Sequence, residues 1–465
     1  MGLKKVLGKG VLMLTGYAAV VASGFAIGVG GAAEAAGPLA SVSYWIAGGL
    51  ATLATAFVFS ELATMFPKCG GIWEYTKQVF GEDHPISFML GWIYWFALLF
   101  GLNVELVSVG IYVHVLLPVV PQWVGSVVCA LLFLALNRLG VKLSALVEAA
   151  FGVILIASSA LFIVMGATMI DPMNYQPFAP YGTVEPFLQT LPYVVIAFCG
   201  FEVVATLSEE SKNPSRDIPH ALIGAAIFLT VLFGAFATVL YGLFPADGFA
   251  ELGTDAPLIV IGGSLFGILG VVWMTIHCFT GSMSTANGGV MGQTRVLYAM
   301  AREGWFPKSF SKVDENGTPT TALAVTAISM IVVSFLPIVT PDAWTLAGFL
   351  GVFGYGLCYM FACGLLVYLR AKRPDAKRPF RCPLVPVVPV VGIVLYALAI
   401  AFSGVDVIIV GVVWCAAGVA YYYLVGRRTR AKFLAEKGIT VNSPTIDATP
   451  GSTIADAIAE PTQAK

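Results

Sequence analysis

The chain has 465 residues, 58% of them hydrophobic and only 11% charged, with a mean hydropathy of +0.87; an average soluble protein carries about 25% charged residues. Its 25 Lys and Arg against 26 Asp and Glu give a net charge of -1, so there is no basic excess to favour a nucleic-acid partner. Collagen, disordered and disulfide-framework classes fall away, and a polytopic membrane protein remains, because several apolar stretches reach the roughly 20 residues that cross a bilayer as helix.

The spacing of Lys and Arg counts the spans. Neither residue occurs in the intervals 10–67, 78–137, 143–211, 217–294, 313–369 and 382–426. Each interval suits two helices joined by a turn, so six intervals predict twelve helices, with the basic residues gathered on one side. The positive-inside rule makes that side the cytoplasm and both termini internal; the outer turns carry acids such as Asp171, Glu185, Asp247, Glu251 and Asp255. The first six expected spans are Gly10 to Ala33, Pro38 to Ser60, Pro85 to Leu117, Val120 to Leu136, Leu143 to Ile170 and Phe187 to Ser208. The second six are Ala221 to Phe244, Pro257 to Met291, Thr320 to Val339, Ala343 to Leu369, Val385 to Ser403 and Val405 to Val425. Residues 1–9 form a cytoplasmic N-terminus and 431–465, small and polar, a disordered cytoplasmic tail. Lys4, Lys5 and Lys9 before an apolar run also have the make-up of a signal peptide, but the run continues through Phe25 to Ala33, which favours a retained first span.

Cysteines and histidines add little. Six of the eight cysteines fall within spans and two, Cys69 and Cys382, in linkers; no Cys/His cluster has zinc spacing, and no metal site is expected. His277, inside the eighth span, reads as a satisfied structural histidine.

Two spans look broken. The first contains Ala22-Ser23-Gly24-Phe25-Ala26-Ile27-Gly28, and the sixth contains Phe198-Cys199-Gly200-Phe201-Glu202. A helix in lipid must satisfy its own backbone, so breaks survive only where they line protein or water. Gly24 and Gly200 stand in spans one and six, an offset of five spans, which points to an inverted repeat (10–170 and 187–369, with 385–425 peripheral) and a site at the midplane. Half-helix N-termini attract a carboxylate and freed carbonyls accept from an ammonium group, so the two breaks together suit a zwitterion. Close packing through small residues is the plainer reading of the first break.

At these residues the chain resembles the amino acid/polyamine/organocation transporter family, over roughly residues 8 to 435. Ala22-Ser23-Gly24-Phe25-Ala26 is similar to the family's Gly-Ser-Gly-Ile-Phe motif, with Ala22 and Ala26 in place of the usual Gly and Phe. Ser60-Glu61-Leu62-Ala63 with Phe66-Pro67 and Gly70-Gly71, Gly200-Phe201-Glu202 with Glu209-Glu210-Ser211-Lys212-Asn213-Pro214, and Arg295 to Gly304 with Thr318-Pro319 resemble further signatures. The resemblance implies an all-α membrane protein of the leucine-transporter fold, two inverted five-helix repeats plus two peripheral helices. It also implies a substrate carboxylate at N–H groups around Ser23 and Gly24, an amine at carbonyls near Ala22, Phe25, Phe198 and Phe201, and Phe201 or its neighbour as gate. Some members carry a proton-handling Lys in the fifth span; the corresponding position falls near Leu155, so coupling is left to sodium through Ser282, Ser284 or Thr285, to a proton on a buried acid, or to exchange.

Four acids, Glu34, Glu105, Glu148 and Glu202, lie in or near spans that contain no Lys or Arg. Glu202 can bond to freed backbone of span six, Glu148 to a basic loop, and Glu34 can sit in a solvated rim. Glu105, mid-span beside Asn103, is either a protonated structural acid or a group for a cationic cargo or a proton. Trp92, Tyr94, Trp95 and Phe96 read as lipid or packing positions. No filter-like segment, no clustered acid, base and metal set, and no Walker loop is present, so channel, enzyme and ATPase readings give way to a permease for a small molecule embedded in lipid, with no cofactor beyond a coupling ion. Amino acids and polyamines such as putrescine remain the competing cargoes.

Overall fold

The computed structural model describes residues 8–18, 20–67, 71–139, 141–208, 211–251, 256–314 and 319–437. The Glu148 side chain, the turn at 68–70, Glu209-Glu210 and the tail from 438 lie outside the described residues.

The regular structure of the described residues is helical, with only an isolated bridge between Val313 and Pro319 besides. In chain order the helices that frame the molecule are α1 (Lys9–Ala18), α2 (Ser23–Ala26), α3 (Gly28–Ala36), α4 (Gly49–Met65), α5 (Gly71–Phe80), α6 (Pro85–Leu116), α7 (Gln122–Leu139) and α8 (Val141–Ala167). They continue as α9 (Leu191–Phe198), α10 (Val203–Thr206), α11 (Pro214–Leu243), α12 (Pro257–Arg302), α13 (Thr320–Ser334), α14 (Ala343–Lys372), α15 (Val387–Ala401), α16 (Val405–Tyr421) and α17 (Arg427–Glu436). Among the described residues nine helical stretches are long and apolar enough to cross a membrane, and two shorter apolar helices, Gln122–Ala135 and Val387–Ala401, accompany them. Long helices are the form that satisfies every backbone group inside hydrocarbon, which is why these apolar runs fold this way.

Large apolar side chains such as Ile268, Leu269 and Val413 face outward, as lipid contact requires, while aromatic side chains such as Trp305, Tyr44 and Phe201 fill the interior and small residues let helices approach closely where they cross. The centre of the bundle is the crossing of α6 and α14. A Cβ at Gly351 would stand 2.7 Å from the Gly101 Cα, and one at Gly354 2.7 Å from the Ala97 Cα, so the two backbones meet there without intervening side chains. Around this crossing pack α12 against α6 and α11 against α4.

Three elements differ from the sequence expectation. The segment after Gly71 forms the amphipathic α5, held by Lys77, which bonds Glu303 at 2.5 Å and Glu74 at 2.6 Å. At the other end, α17 carries helix to Glu436, six residues into the tail expected to be disordered. Arg430, 3% exposed, explains it by reaching Glu82 at 3.0 Å and Asp83 at 2.7 Å. α12, expected as the eighth span, also runs on to Arg302, well past the expected end at Met291.

Candidate functional site

Both expected interruptions are present, and they lie side by side. Ala22 is extended (φ −149°, ψ −158°) between α1 and the short α2. Cys199 is extended (ψ 149°) after α9, and Gly200 takes φ +111°, a conformation that favours glycine, before α10 resumes at Val203. α2 packs directly on α9. A Cβ on Gly24 would meet the Ile196 carbonyl oxygen at 2.9 Å and the Ala197 Cα at 3.1 Å, so the two broken helices touch backbone to backbone.

Side chains from other helices complete each break. The Ser23 N–H donates to Glu105 Oε2 at 3.1 Å, and Trp344 Nε1 donates to Ser23 Oγ at 3.1 Å. One break therefore ties α2 to α6 and α14. At the other, the Gly200 N–H donates to Glu202 Oε2 at 3.0 Å, and the Tyr359 hydroxyl donates to the same oxygen at 2.5 Å. Glu202 thus bonds to freed backbone of its own span, the role its position in the sequence suggests. Glu105 takes an N–H group at which the family resemblance places a substrate carboxylate. Both carboxylates are buried and have protein partners.

The remaining expected residues divide. Phe25 and Phe198 turn into an aromatic cluster with Tyr44 and Phe233; Phe25 stacks on Phe233 with centroids 4.5 Å apart, so their side chains build walls. Ala22, Ala26, Cys199 and Phe201 are buried, and the Phe201 carbonyl faces α1 at Gly16. Ser282, Ser284 and Thr285 of α12 are buried, and their hydroxyls have no hydrogen-bond partner of good geometry among the described residues, although Ser282 adjoins the Glu105 carboxyl. α12 meets the first break at Gly281, whose Cβ would lie 2.9 Å from the Val21 carbonyl and 3.5 Å from Leu155. Leu155 consequently stands beside the break, where a lysine would have to reach.

His277 bonds Ser158 at 3.0 Å against Phe236 and fills a structural place, as expected. Trp92 and Trp95 stack on Trp414 and Phe96 packs against it at a tilt, so these three are packing residues. Glu34 is exposed. Among the described residues no group of His, Cys, Asp and Glu is arranged to hold a metal, and the described cysteines are free. Sequence reasoning missed Trp344 and Tyr359, whose contacts cross 321 and 157 residues of chain; a polar group on an aromatic ring in an otherwise apolar span was the available signal.

A multi-pass helical membrane protein with two abutting broken helices and a buried polar junction is a transporter in architecture, not an enzyme. The sequence signature of amino acid permeases matches residues 11–434, and the chain belongs to the amino acid permease family. It is 29% identical to the branched-chain amino acid permease BcaP of Bacillus subtilis (strain 168), over 92% of this chain and 94% of that protein. It is 28% identical to the methylthioribose transporter of the same organism, over 92% of each chain. Among solved structures it shares the fold of an Eremococcus coleocola manganese transporter, with TM-score 0.58 at 13% identity over 92% of this chain and 94% of that one.

Proposed function

We propose that this protein carries a neutral, apolar α-amino acid across the cell membrane by alternating access, with the substrate held between the breaks at Ala22–Gly24 and Cys199–Glu202. The observation that carries this reading is the backbone contact of the two interruptions, with apolar walls from Phe25 and Phe198 beside them. Such a junction offers N–H groups to a carboxylate and carbonyls to an ammonium group. Glu105 and Glu202 already serve backbone N–H groups, which argues against their being reserved for the amines of a polyamine. The likeness to a branched-chain amino acid permease supports the same cargo class.

The reading includes twelve spans, two inverted five-helix halves and both termini in the cytoplasm, supported by the sorting of Lys and Arg. Three buried hydroxyls of α12, on Ser282, Ser284 and Thr285, none with a hydrogen bond of good geometry among the described residues, support sodium as coupling ion. Substrate entry then requires Glu105 to release the Ser23 N–H to the incoming carboxylate.

The test is a thermal-shift and proteoliposome uptake panel with valine, leucine, isoleucine, methylthioribose, putrescine and spermidine, with and without sodium and at two pH values. A ligand at 100 times its Kd stabilises the folded state by about 2.7 kcal/mol. Stabilisation and sodium-driven uptake of the aliphatic amino acids are expected. Stabilisation by diamines or polyamines alone would overturn the cargo, and uptake driven by a proton gradient and abolished in Glu105→Gln would move coupling to that carboxyl.

A further inference from the structure

We propose that the cleft between the end of α12, the 306–311 segment and α17 binds the headgroup of an anionic phospholipid. α17 continues the last apolar helix through a π-helical turn, Tyr422–Gly426, so its first residues stand at the edge of the hydrocarbon. Leu424 and Val425 are 65% and 43% exposed there, as lipid-facing side chains are. The next turns contain Arg427, Arg428, Arg430 and Lys432, the kind of basic run next to a span that attracts an anionic membrane surface.

Helical spacing gives these bases different tasks. Arg430 turns inward, where Glu82 and Asp83 neutralise it and the Glu303 carbonyl accepts from it. Leu424, Arg428 and Lys432 fall four residues apart on one stripe and line the opposite cleft of about 480 Å³ together with Phe306, Lys308 and Phe433. Lys308 pairs with Glu436 at the far end. Arg428 and Lys432 are exposed and take part in no ion pair or hydrogen bond among the described residues, so two positive charges are left over. The cleft therefore joins an apolar wall continuous with the lipid face to two uncompensated cations. A phosphate carrying acyl chains satisfies both features; a soluble anion would use only the charges, and a zwitterionic lipid would bring no net charge to them. The occupant would sit against the helix that Arg430 ties to the α5–α6 turn.

The experiment titrates full-length protein in mild detergent with phosphatidylglycerol, phosphatidylcholine or inorganic phosphate and reads apparent affinity from thermal shifts, with lipid retention by native mass spectrometry as a second readout. The variants are Arg428→Gln/Lys432→Gln and, as a control that removes the same charge from exposed positions elsewhere, Lys372→Gln/Lys377→Gln. Phosphatidylglycerol is expected to bind best and the first variant to lose about 30-fold in affinity, the sum for two interfacial charges, with the control unchanged. Unaltered affinity in the first variant, equal loss in the control, equal binding of phosphatidylcholine, or equal stabilisation by inorganic phosphate would each overturn the assignment.

Discussion

Replacing Gly24 by alanine tests whether the meeting of the two breaks is the working junction. The added methyl would stand 2.9 Å from the Ile196 carbonyl oxygen and 3.1 Å from the Ala197 Cα, and neither is the movable end of a side chain. Overpacking of this kind typically costs about 1–3 kcal/mol, and alanine returns only about 0.5–1 kcal/mol through helix propensity. Gly28, one turn further on, supplies the contrast. A methyl there meets the Trp344 ring and the Tyr193 carbonyl at 3.4 Å, a tight but tolerable distance, so its packing cost and propensity gain nearly cancel. Gly24→Ala is therefore expected to lose transport in proteoliposomes and to melt lower, whereas Gly28→Ala keeps both properties close to wild type. Wild-type transport and melting in Gly24→Ala would refute the reasoning, because the junction would then tolerate separation of its backbones.

Three further outcomes follow from buried polar groups. Glu61 is inaccessible and accepts from Arg370 at 2.7 and 2.9 Å, from Arg378 at 3.0 Å and from the Cys382 N–H at 2.7 Å; Glu61→Ala leaves Arg378 buried and uncompensated, at about 3–5 kcal/mol, measurable as a lowered melting temperature. Tyr359→Phe removes the hydroxyl donor to Glu202 and is expected to cost about 1–3 kcal/mol and to weaken substrate-induced stabilisation, read by thermal shift with and without amino acid. Burial pushes the Glu303 carboxyl up to about 7, and Lys77, which Glu74 also engages, offsets only part of this. Because the folded state holds that proton more tightly than the unfolded chain, its contribution is complete at low pH and is lost as pH rises from about 4.5 to about 7. Melting curves across that window should show the decline in the wild type and its absence in Glu303→Gln.

The readable part of the architecture was written in one-dimensional patterns. Apolar runs between clusters of Lys and Arg marked the membrane-crossing helices, and glycines beside Ser23 and Glu202 marked the breaks, because both signals arise from constraints local to a span. Partners of those breaks were not legible: Ser23 meets Glu105 across 82 residues and Trp344 across 321, and nothing near either residue encodes the other. The same holds for α5 and α17. Lys77 is stabilised by Glu303, 226 positions away, and Arg430 by Glu82, 348 positions away, so the order of these short segments rests in part on tertiary ion pairs that no local pattern encodes.

The knot at Glu61 also bears on biosynthesis. Its partners Arg370 and Arg378 enter the chain 309 and 317 residues after it, so during elongation the carboxylate is made long before any residue that neutralises it. Until α14 and the loop beyond it are in place, the end of α4 must remain open to water at the bilayer edge. Closure of that corner is thus a late event of assembly, and a chain stopped short of Arg370 would display an unmatched buried-type acid at the membrane surface, a feature by which an unfinished copy is physically distinguishable from a finished one.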